Sequence, residues 1–147
     1  MANYKNIELA KGVFWIGTCQ SDTGGNYNPY LIIDGNEAVL IDPGPIAAFD
    51  CVFQNMKDLI DISALSYIIV QQPSPEVTAS LPLYEKQGVK ARVIVHERAL
   101  EQIKALQISF DFFIINDEQS KVSLKSGREL FFIETPYLHS YAAIISY

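Results

Sequence analysis

The stretch that most constrains this chain is residues 66–82, SYIIVQQPSPEVTASLP. Its apolar run, residues 67–70, leads into a polar turn interrupted by two prolines, and then into residues that favour a helix from about 78 to 87. This pattern predicts a buried strand, a loop and a helix. In α/β proteins the loop at the carboxyl end of such a strand usually carries the functional groups. The loop at 71–77 is therefore the candidate functional site.

Hydrophobic periodicity predicts the other elements. Strands are expected at about 12–17, 30–33, 38–41, 67–70, 92–95, 110–115, 122–124, 129–133 and 142–146, and helices at about 49–60, 78–87 and 97–106. The Asp34-Gly35-Asn36 segment predicts a hairpin turn. Thr78 is the expected N-cap of the second helix, and Gly88 its stop. The polar residues 18–28 predict either a rim over a site or a long connection. A hairpin, two β–α repeats and a β-meander follow one another, which indicates an α/β (α+β) domain over residues 1–147.

Composition excludes several classes of protein. The 147 residues carry a net charge of −6 and no basic run, which argues against a nucleic-acid surface. The apolar stretches are too short to span a membrane, and the first residues lack the apolar segment of a signal peptide. Cys19 and Cys51 are isolated, with no metal-binding spacing, so we expect free, reduced thiols and a cytoplasmic protein.

Three segments, NPYLIIDGNEAVLIDPG, LSYIIVQQPSPEVTASLP and FIETPYLHS, carry a resemblance to a known family. They resemble the metallo-β-lactamase fold, and more closely the N-terminal module of the flavodiiron and oxygen-binding diiron proteins. The resemblance covers nearly the whole chain. It implies an αββα sandwich built from two similar halves, with a mixed sheet and helices on one face. The chain is expected to hold the first half, or a truncated version, of that sandwich.

The resemblance also implies where metal ligands should lie. The diiron proteins have a His-x-Glu-x-Asp-His pattern followed by Ser-Gly-Ser-Leu-Pro, and residues 78–82, TASLP, resemble the second part. In that register, the four ligand positions fall on Gln72, Ser74, Glu76 and Val77. The histidine of the later TP-x-LH motif falls on His139. Asp42 matches the aspartate of the family's DxG turn, where it supports the loop rather than binding metal. The family's remaining Asp and His ligands come from the second half.

The residues at these positions are poor metal ligands. Gln72 offers a neutral amide oxygen, Ser74 is neutral, and Val77 has no donor atom. Glu76 and His139 alone could still bind, and two donors do not hold a stable transition-metal centre. We therefore expect no diiron centre and no cofactor. The alternatives are one weakly bound iron, zinc or manganese ion at Glu76 and His139, or a His139 that is hydrogen-bonded within its loop.

These observations favour a non-catalytic, metal-free sensory or regulatory binding module of a signalling or redox system, and they lean against an enzyme. One alternative is a residual hydrolase or oxidoreductase with a single metal at Glu76 and His139; another is a structural dimerisation module. An acid/base pair of Glu76 and Glu134 has no support in the sequence, and His96 is interpreted as a loop or helix-start residue. Half of the fold would leave an apolar inner sheet face exposed. We therefore expect a homodimer or a fragment of a longer protein, unless the terminal meander closes the sheet.

Overall fold

The structure is a computed structural model and describes residues 6–20 and 25–147. Its strands are β1 (Ile7–Ala10), β2 (Val13–Trp15), β3 (Thr18–Gln20), β4 (Gly25–Tyr27), β5 (Tyr30–Asp34), β6 (Glu37–Ile41), β7 (Leu65–Ile69), β8 (Arg92–His96), β9 (Phe112–Ile115), β10 (Lys121–Ser123), β11 (Glu129–Glu134) and β12 (Ile144–Ser146). Its helices are α1 (Phe49–Lys57), α2 (Pro75–Thr78), α3 (Leu81–Lys86) and α4 (Leu100–Lys104), with 3-10 turns at Ile46–Ala48, Ile62–Ala64 and Glu97–Ala99.

The main sheet has seven strands in the order β1-β2-β5-β6-β7-β8-β9. Strands β1, β2, β5 and β6 are antiparallel neighbours, whereas β6 to β9 are parallel. The predicted mixed sheet and its hairpin turn are confirmed, and Gly35 in that turn has a φ of 62°, which a glycine adopts readily. Because β6, β7 and β8 run in the same direction, their carboxyl ends meet at one edge of the sheet.

Strands β10, β11 and β12 form a second, antiparallel sheet that covers one face of the main sheet. The residues buried between the two sheets form one apolar cluster: Ile32, Val39, Ile69, Ile94, Ile115, Val122, Leu124, Leu130, Phe132 and Ile144. The expectation of an exposed inner sheet face is therefore wrong. The terminal meander folds back and closes that face, which was one of the three outcomes considered.

The helices pack on the opposite face of the main sheet, as predicted. The apolar stripe of α1 is buried there, and the ring of Phe49 stacks on that of Phe53 at 5.1 Å. Tyr84 of α3 meets the Phe49 ring edge-on at 5.0 Å and is fully buried. Aromatic pairs in these geometries add to the stabilisation from burial alone. The stripe at 49–60 is thus core packing.

The second helix differs from the prediction. Thr78 is the last residue of the short helix α2, and a separate helix, α3, follows it. Pro75 explains the early start, because a proline at the first helical position has its φ already set and lacks an N–H that would be unpaired there. The Thr78 hydroxyl donates back to the carbonyl of Ser74 at 2.9 Å instead of capping a helix. Gly88, with a φ of 81°, does end α3 as predicted.

Other helices and strands also differ from the predicted ones. The first predicted strand is preceded by β1, an exposed strand that the sequence pattern missed. The connection at 18–28 contains a small antiparallel pair, β3 with β4, rather than only a loop; residues 21–24 and the side chain of Cys19 lie outside the described residues. The third helix begins as a 3-10 turn before α4. No helix in the described part is long and apolar enough to span a membrane.

Candidate functional site

The loop that follows β6 holds Asp42 at the predicted edge of the sheet. Asp42 has a φ of 54°, and its N–H donates to the carbonyl of Ile69 in β7 at 2.9 Å. Its carboxylate accepts two hydrogen bonds from Gln71, one from the main-chain N–H at 2.9 Å and one from the side-chain amide at 3.0 Å. Burial raises the pKa of Asp42, and the two bonds from Gln71 oppose that rise. Asp42 therefore connects its turn to the end of β7.

Gln71 joins this turn to the second sheet. Its side-chain oxygen accepts from the N–H of Ser146 at 3.1 Å and from the Ser146 hydroxyl at 3.0 Å. Its main-chain oxygen accepts from the N–H of Ile144 at 2.8 Å. One glutamine thus connects the Asp42 turn, the end of β7 and the edge strand β12. This role cannot be predicted from the sequence, because a glutamine after a strand carries no signal of a partner so distant in the chain.

The three substituted ligand positions do not converge on one point. Val77 lies in α2, where its side chain is buried in the helix-side core. Its carbonyl accepts from the N–H of Gly44 at 2.9 Å, which holds α2 against the Asp42 turn. Ser74 immediately precedes α2, and Gln72 is half-buried beside the loop. The position predicted for the second histidine therefore serves the core.

Glu76 and His139 are both exposed. A backbone hydrogen bond lowers the pKa of Glu76, and the charge of His139 lowers it further. The structure thus brings the two side chains within electrostatic reach of each other. Within residues 6–20 and 25–147, they form no ion pair with N···O of 4 Å or less.

Glu134 meets His96 rather than Glu76. The Nε2 atom of His96 lies 3.0 Å from Oε1 of Glu134, outside ideal hydrogen-bond alignment. The Nδ1 atom accepts from the N–H of Arg98 at 3.1 Å, so His96 caps the 3-10 turn before α4. His96 is 2% exposed and connects β8 in the main sheet to β11 in the second sheet. Its helix-start position was predicted; its contact with Glu134 was not.

A shallow pocket of about 260 Å³ lies between the Asp42 turn and the loop after β11. Its lining residues are Asp42, Gln71, Gln72, Thr135, Leu138, His139, Ala143, Ile144 and Ile145. A larger groove of about 470 Å³ lies elsewhere, between the end of α1, residues 58–62 and Gln87. None of the predicted site residues lines that larger groove, so the smaller pocket is the candidate site.

The residues of this site do not fit a two-metal centre. The Asp42 carboxylate is already occupied by Gln71, and Val77 faces the core. In the part of the chain that the structure describes, no three His, Cys, Asp or Glu side chains are grouped closely enough to hold a metal ion. Such centres need several imidazole and carboxylate donors that converge on one point.

Comparison with known proteins assigns this chain to a family. The family described as ODP family β lactamase matches residues 26–147. The chain belongs to this family. The predicted metallo-β-lactamase fold and the flavodiiron-like relationship are thereby confirmed.

Relatives of this ODP-family chain are longer proteins. It is 27% identical over 146 residues to a nitric oxide reductase of Moorella thermoacetica, matching 90% of this chain and 36% of the reductase. Among solved structures, 97% of the chain superposes on the flavodiiron protein of Giardia intestinalis with a TM-score of 0.83 and 22% identity, covering 37% of that chain. The apo chemotaxis sensor ODP of T. denticola gives 0.77 and 21% identity, with 97% and 57% of the two chains covered. The chain thus spans about a third of the reductase's length and just over half of the sensor's.

Proposed function

We propose that this chain is a non-catalytic, metal-free member of the ODP family that serves as a sensory or regulatory binding module. One observation carries the proposal: the side chain of Gln71 bridges Asp42 and Ser146 at the site. A neutral amide therefore connects elements at the edge where the resemblance places a metal centre. The connection needs no bound ion.

The chemistry of the neighbouring positions supports the same proposal. Val77 places a hydrocarbon side chain in the core. Gln72, which is half-buried, offers a metal ion only an uncharged amide. The remaining candidate ligands, Glu76 and His139, are exposed and would hold an ion with two donors only. The regulatory part of the proposal draws on the similarity to a protein described as a chemotaxis sensor. The free, exposed thiol of Cys51 is compatible with a reducing, cytoplasmic location, which we also propose.

Metal analysis tests the proposal. The chain, purified without chelator, is measured for iron, zinc and manganese and then titrated with each ion. We expect less than stoichiometric metal, and the same content in His139→Ala and Glu76→Gln variants. Stoichiometric metal that is lost in His139→Ala would establish the single-metal alternative and overturn the metal-free proposal.

We further propose that the chain self-associates through the outer face of the second sheet. Ile133 and Ile145 are direct cross-strand partners, and each is about half exposed, at 50% and 48%. Beside them, Tyr147 is 66% exposed and stacks on Phe131 at 5.4 Å. Such a contiguous apolar patch favours a protein contact, and an identical patch on a second copy is self-complementary.

Sedimentation velocity tests this second proposal. We expect a concentration-dependent dimer that dissociates in an Ile145→Lys variant, because a charge would be buried at the contact. A matched Lys104→Ala change, on the exposed side of α4, should leave the dimer intact. A monomer at all concentrations would refute the self-association proposal.

A further inference from the structure

Three residues, Asp42, Gln71 and Ser146, form a hydrogen-bond network that we call the amide network. The Nε2 atom of Gln71 donates to Oδ2 of Asp42 at 3.0 Å. Its Oε1 atom accepts from the N–H of Ser146 at 3.1 Å and from the Ser146 hydroxyl at 3.0 Å. A main-chain N–H can only donate, and an ionised carboxylate can only accept. The two ends of the network therefore fix the orientation of the Gln71 amide, and this orientation requires an ionised Asp42.

A proton on either oxygen of Asp42 disturbs the amide network. Oδ1 accepts from the main-chain N–H of Gln71 at 2.9 Å, and Oδ2 accepts from the side-chain amide of the same residue. A proton on Oδ2 opposes the Nε2 donor, and a proton on Oδ1 opposes the main-chain donor. If the amide turns over to accept from a protonated Oδ2, its Nε2 atom faces the N–H of Ser146 instead. In each arrangement, Gln71 loses at least one hydrogen bond.

Asp42 is placed to exchange protons with solvent. The residue is half-buried and lines the candidate pocket. Burial raises its pKa above the ordinary value of 3.8, although the two hydrogen bonds from Gln71 oppose that rise. As the pH falls, Asp42 therefore becomes neutral in the folded chain before the pH reaches 3.8.

Other titratable groups surround the Asp42 turn. On α2, Glu76 is exposed, and a backbone hydrogen bond lowers its pKa. On α3, the Tyr84 hydroxyl reaches the main chain of the turn at 3.5 Å, and burial raises its pKa, so it stays neutral. In the loop after β11, His139 lines the pocket, whereas Glu134 at the end of β11 contacts β8. Among the described residues, none of these four side chains hydrogen-bonds to the amide network.

Loss of the amide bond acts on one end of β12. The N–H of Ile144, at the start of the strand, donates to the main-chain oxygen of Gln71 at 2.8 Å and does not depend on the amide. Ser146, at the other end, is held by the amide itself. β12 is the edge strand of the second sheet, and Ile145 and Tyr147 belong to its exposed outer face.

We propose that the amide network is a proton-sensitive switch: when Asp42 takes up a proton, the Gln71 side chain releases the carboxyl end of β12. The switch couples the pH at the candidate pocket to the outer face of the second sheet, because β12 contributes to both. This inference rests on the proposed metal-free function, because a metal ion in the pocket would compete with the proton for Asp42.

A pH titration of the metal-free chain tests the inference. Nuclear magnetic resonance follows the Asp42 carboxyl, the Gln71 side-chain amide and the Ser146 N–H as the pH falls from neutrality towards 3.8. We expect all three signals to shift with one common midpoint above 3.8. Below this midpoint, protection of the Ser146 N–H from hydrogen exchange should fall about fivefold or more. The Ile144 N–H is the internal control and should keep its protection.

Two outcomes of this titration would overturn the inference. One is a Ser146 signal that does not follow the Asp42 carboxyl. The other is a simultaneous loss of protection at Ile144 and Ser146, which would show general unfolding in acid. Absence of the transition in metal-free protein would sink this inference alone, whereas stoichiometric metal would sink the proposed function.

Variants assign the proton. Asp42→Asn keeps the shape of the side chain and is uncharged at every pH, so its Ser146 N–H should be about fivefold less protected at neutral pH and show no transition. His139→Ala removes the other titratable side chain of the pocket lining and should leave the Ser146 transition unchanged. A transition that persists in Asp42→Asn, or that disappears in His139→Ala, would assign the proton to another group and refute the proposal.

Discussion

Replacing Gln71 with alanine removes the side chain that joins the Asp42 turn to β12. Three hydrogen bonds are lost: one to the Asp42 carboxylate at 3.0 Å and two from Ser146 at 3.1 and 3.0 Å. A neutral hydrogen bond contributes on the order of 1 kcal/mol, and one to a charged group about 1.5–3 kcal/mol. Water can enter the adjoining pocket and replace part of this loss. We therefore expect the free energy of unfolding to fall by about 2–4 kcal/mol.

The neighbouring residue provides the matched control. Gln72 has the same side chain and lines the same pocket, but it makes no hydrogen bond within the described residues. Gln72→Ala should therefore change stability by less than about 0.5 kcal/mol. Urea denaturation followed by circular dichroism measures both variants against the parent. Equal destabilisation by the two changes would show that the Gln71 bridge does not stabilise the fold.

The same variant has a predicted pH dependence. Burial raises the pKa of Asp42 above its ordinary value of 3.8, so the folded state binds its proton more tightly than the unfolded state does. The contribution of Asp42 to stability consequently falls as the pH rises from 3.8 through the folded pKa. Losing the Gln71 side-chain donor raises that pKa further. The cost of Gln71→Ala should therefore be largest at neutral pH and shrink as the pH approaches 3.8; a cost that grows in acid would contradict this account.

Three further predictions use the same unfolding measurement. Tyr84→Phe should cost less than about 1 kcal/mol, because the hydroxyl makes only a long 3.5 Å bond to a main-chain oxygen, whereas Tyr84→Ala should cost about 3–5 kcal/mol for the buried ring. Gly17→Ala should cost about 1–3 kcal/mol, because a Cβ there would lie 2.1 Å from the carbonyl oxygen of Tyr27. His96→Ala should cost about 2–4 kcal/mol through the lost core volume and the lost contact with Glu134, and a cost below 1 kcal/mol would show that the contact between the sheets is unimportant.

Local sequence patterns predict much of this fold. The hairpin at Asp34-Gly35, the apolar stripe of α1 and the buried parallel strands each depend on residues close together in the chain. The division of the second predicted helix into α2 and α3 was missed, although Pro75 and Pro82 each stand near the start of one helix. Thr78 is an N-cap residue by type, but Pro75 starts a helix three residues earlier, so Thr78 becomes the last residue of that helix.

The closure of the main sheet could not be read from the strands alone. Alternating apolar residues in β10 to β12 predict that one face of a meander is buried, but they do not say which surface it covers. The two outcomes, a closed sandwich and an exposed sheet, contain the same strands. They differ only in contacts such as those of Phe132 and Ile144 with the main sheet, which join distant parts of the chain.

The site shows the same limit. Gln71 is 29 residues from Asp42 and 75 from Ser146, so its bridging role exists only in the folded chain. In the proposed metal-free chain, this neutral amide holds the Asp42 turn against β12 without a bound ion. Val77 can then serve the core, where a histidine would be costly to bury, and Gln72 can face the pocket with its amide unused. Gln71 is not one of the four ligand positions, which begin at Gln72, so the side chain that joins the Asp42 turn to β12 is one to which no ligand pattern points.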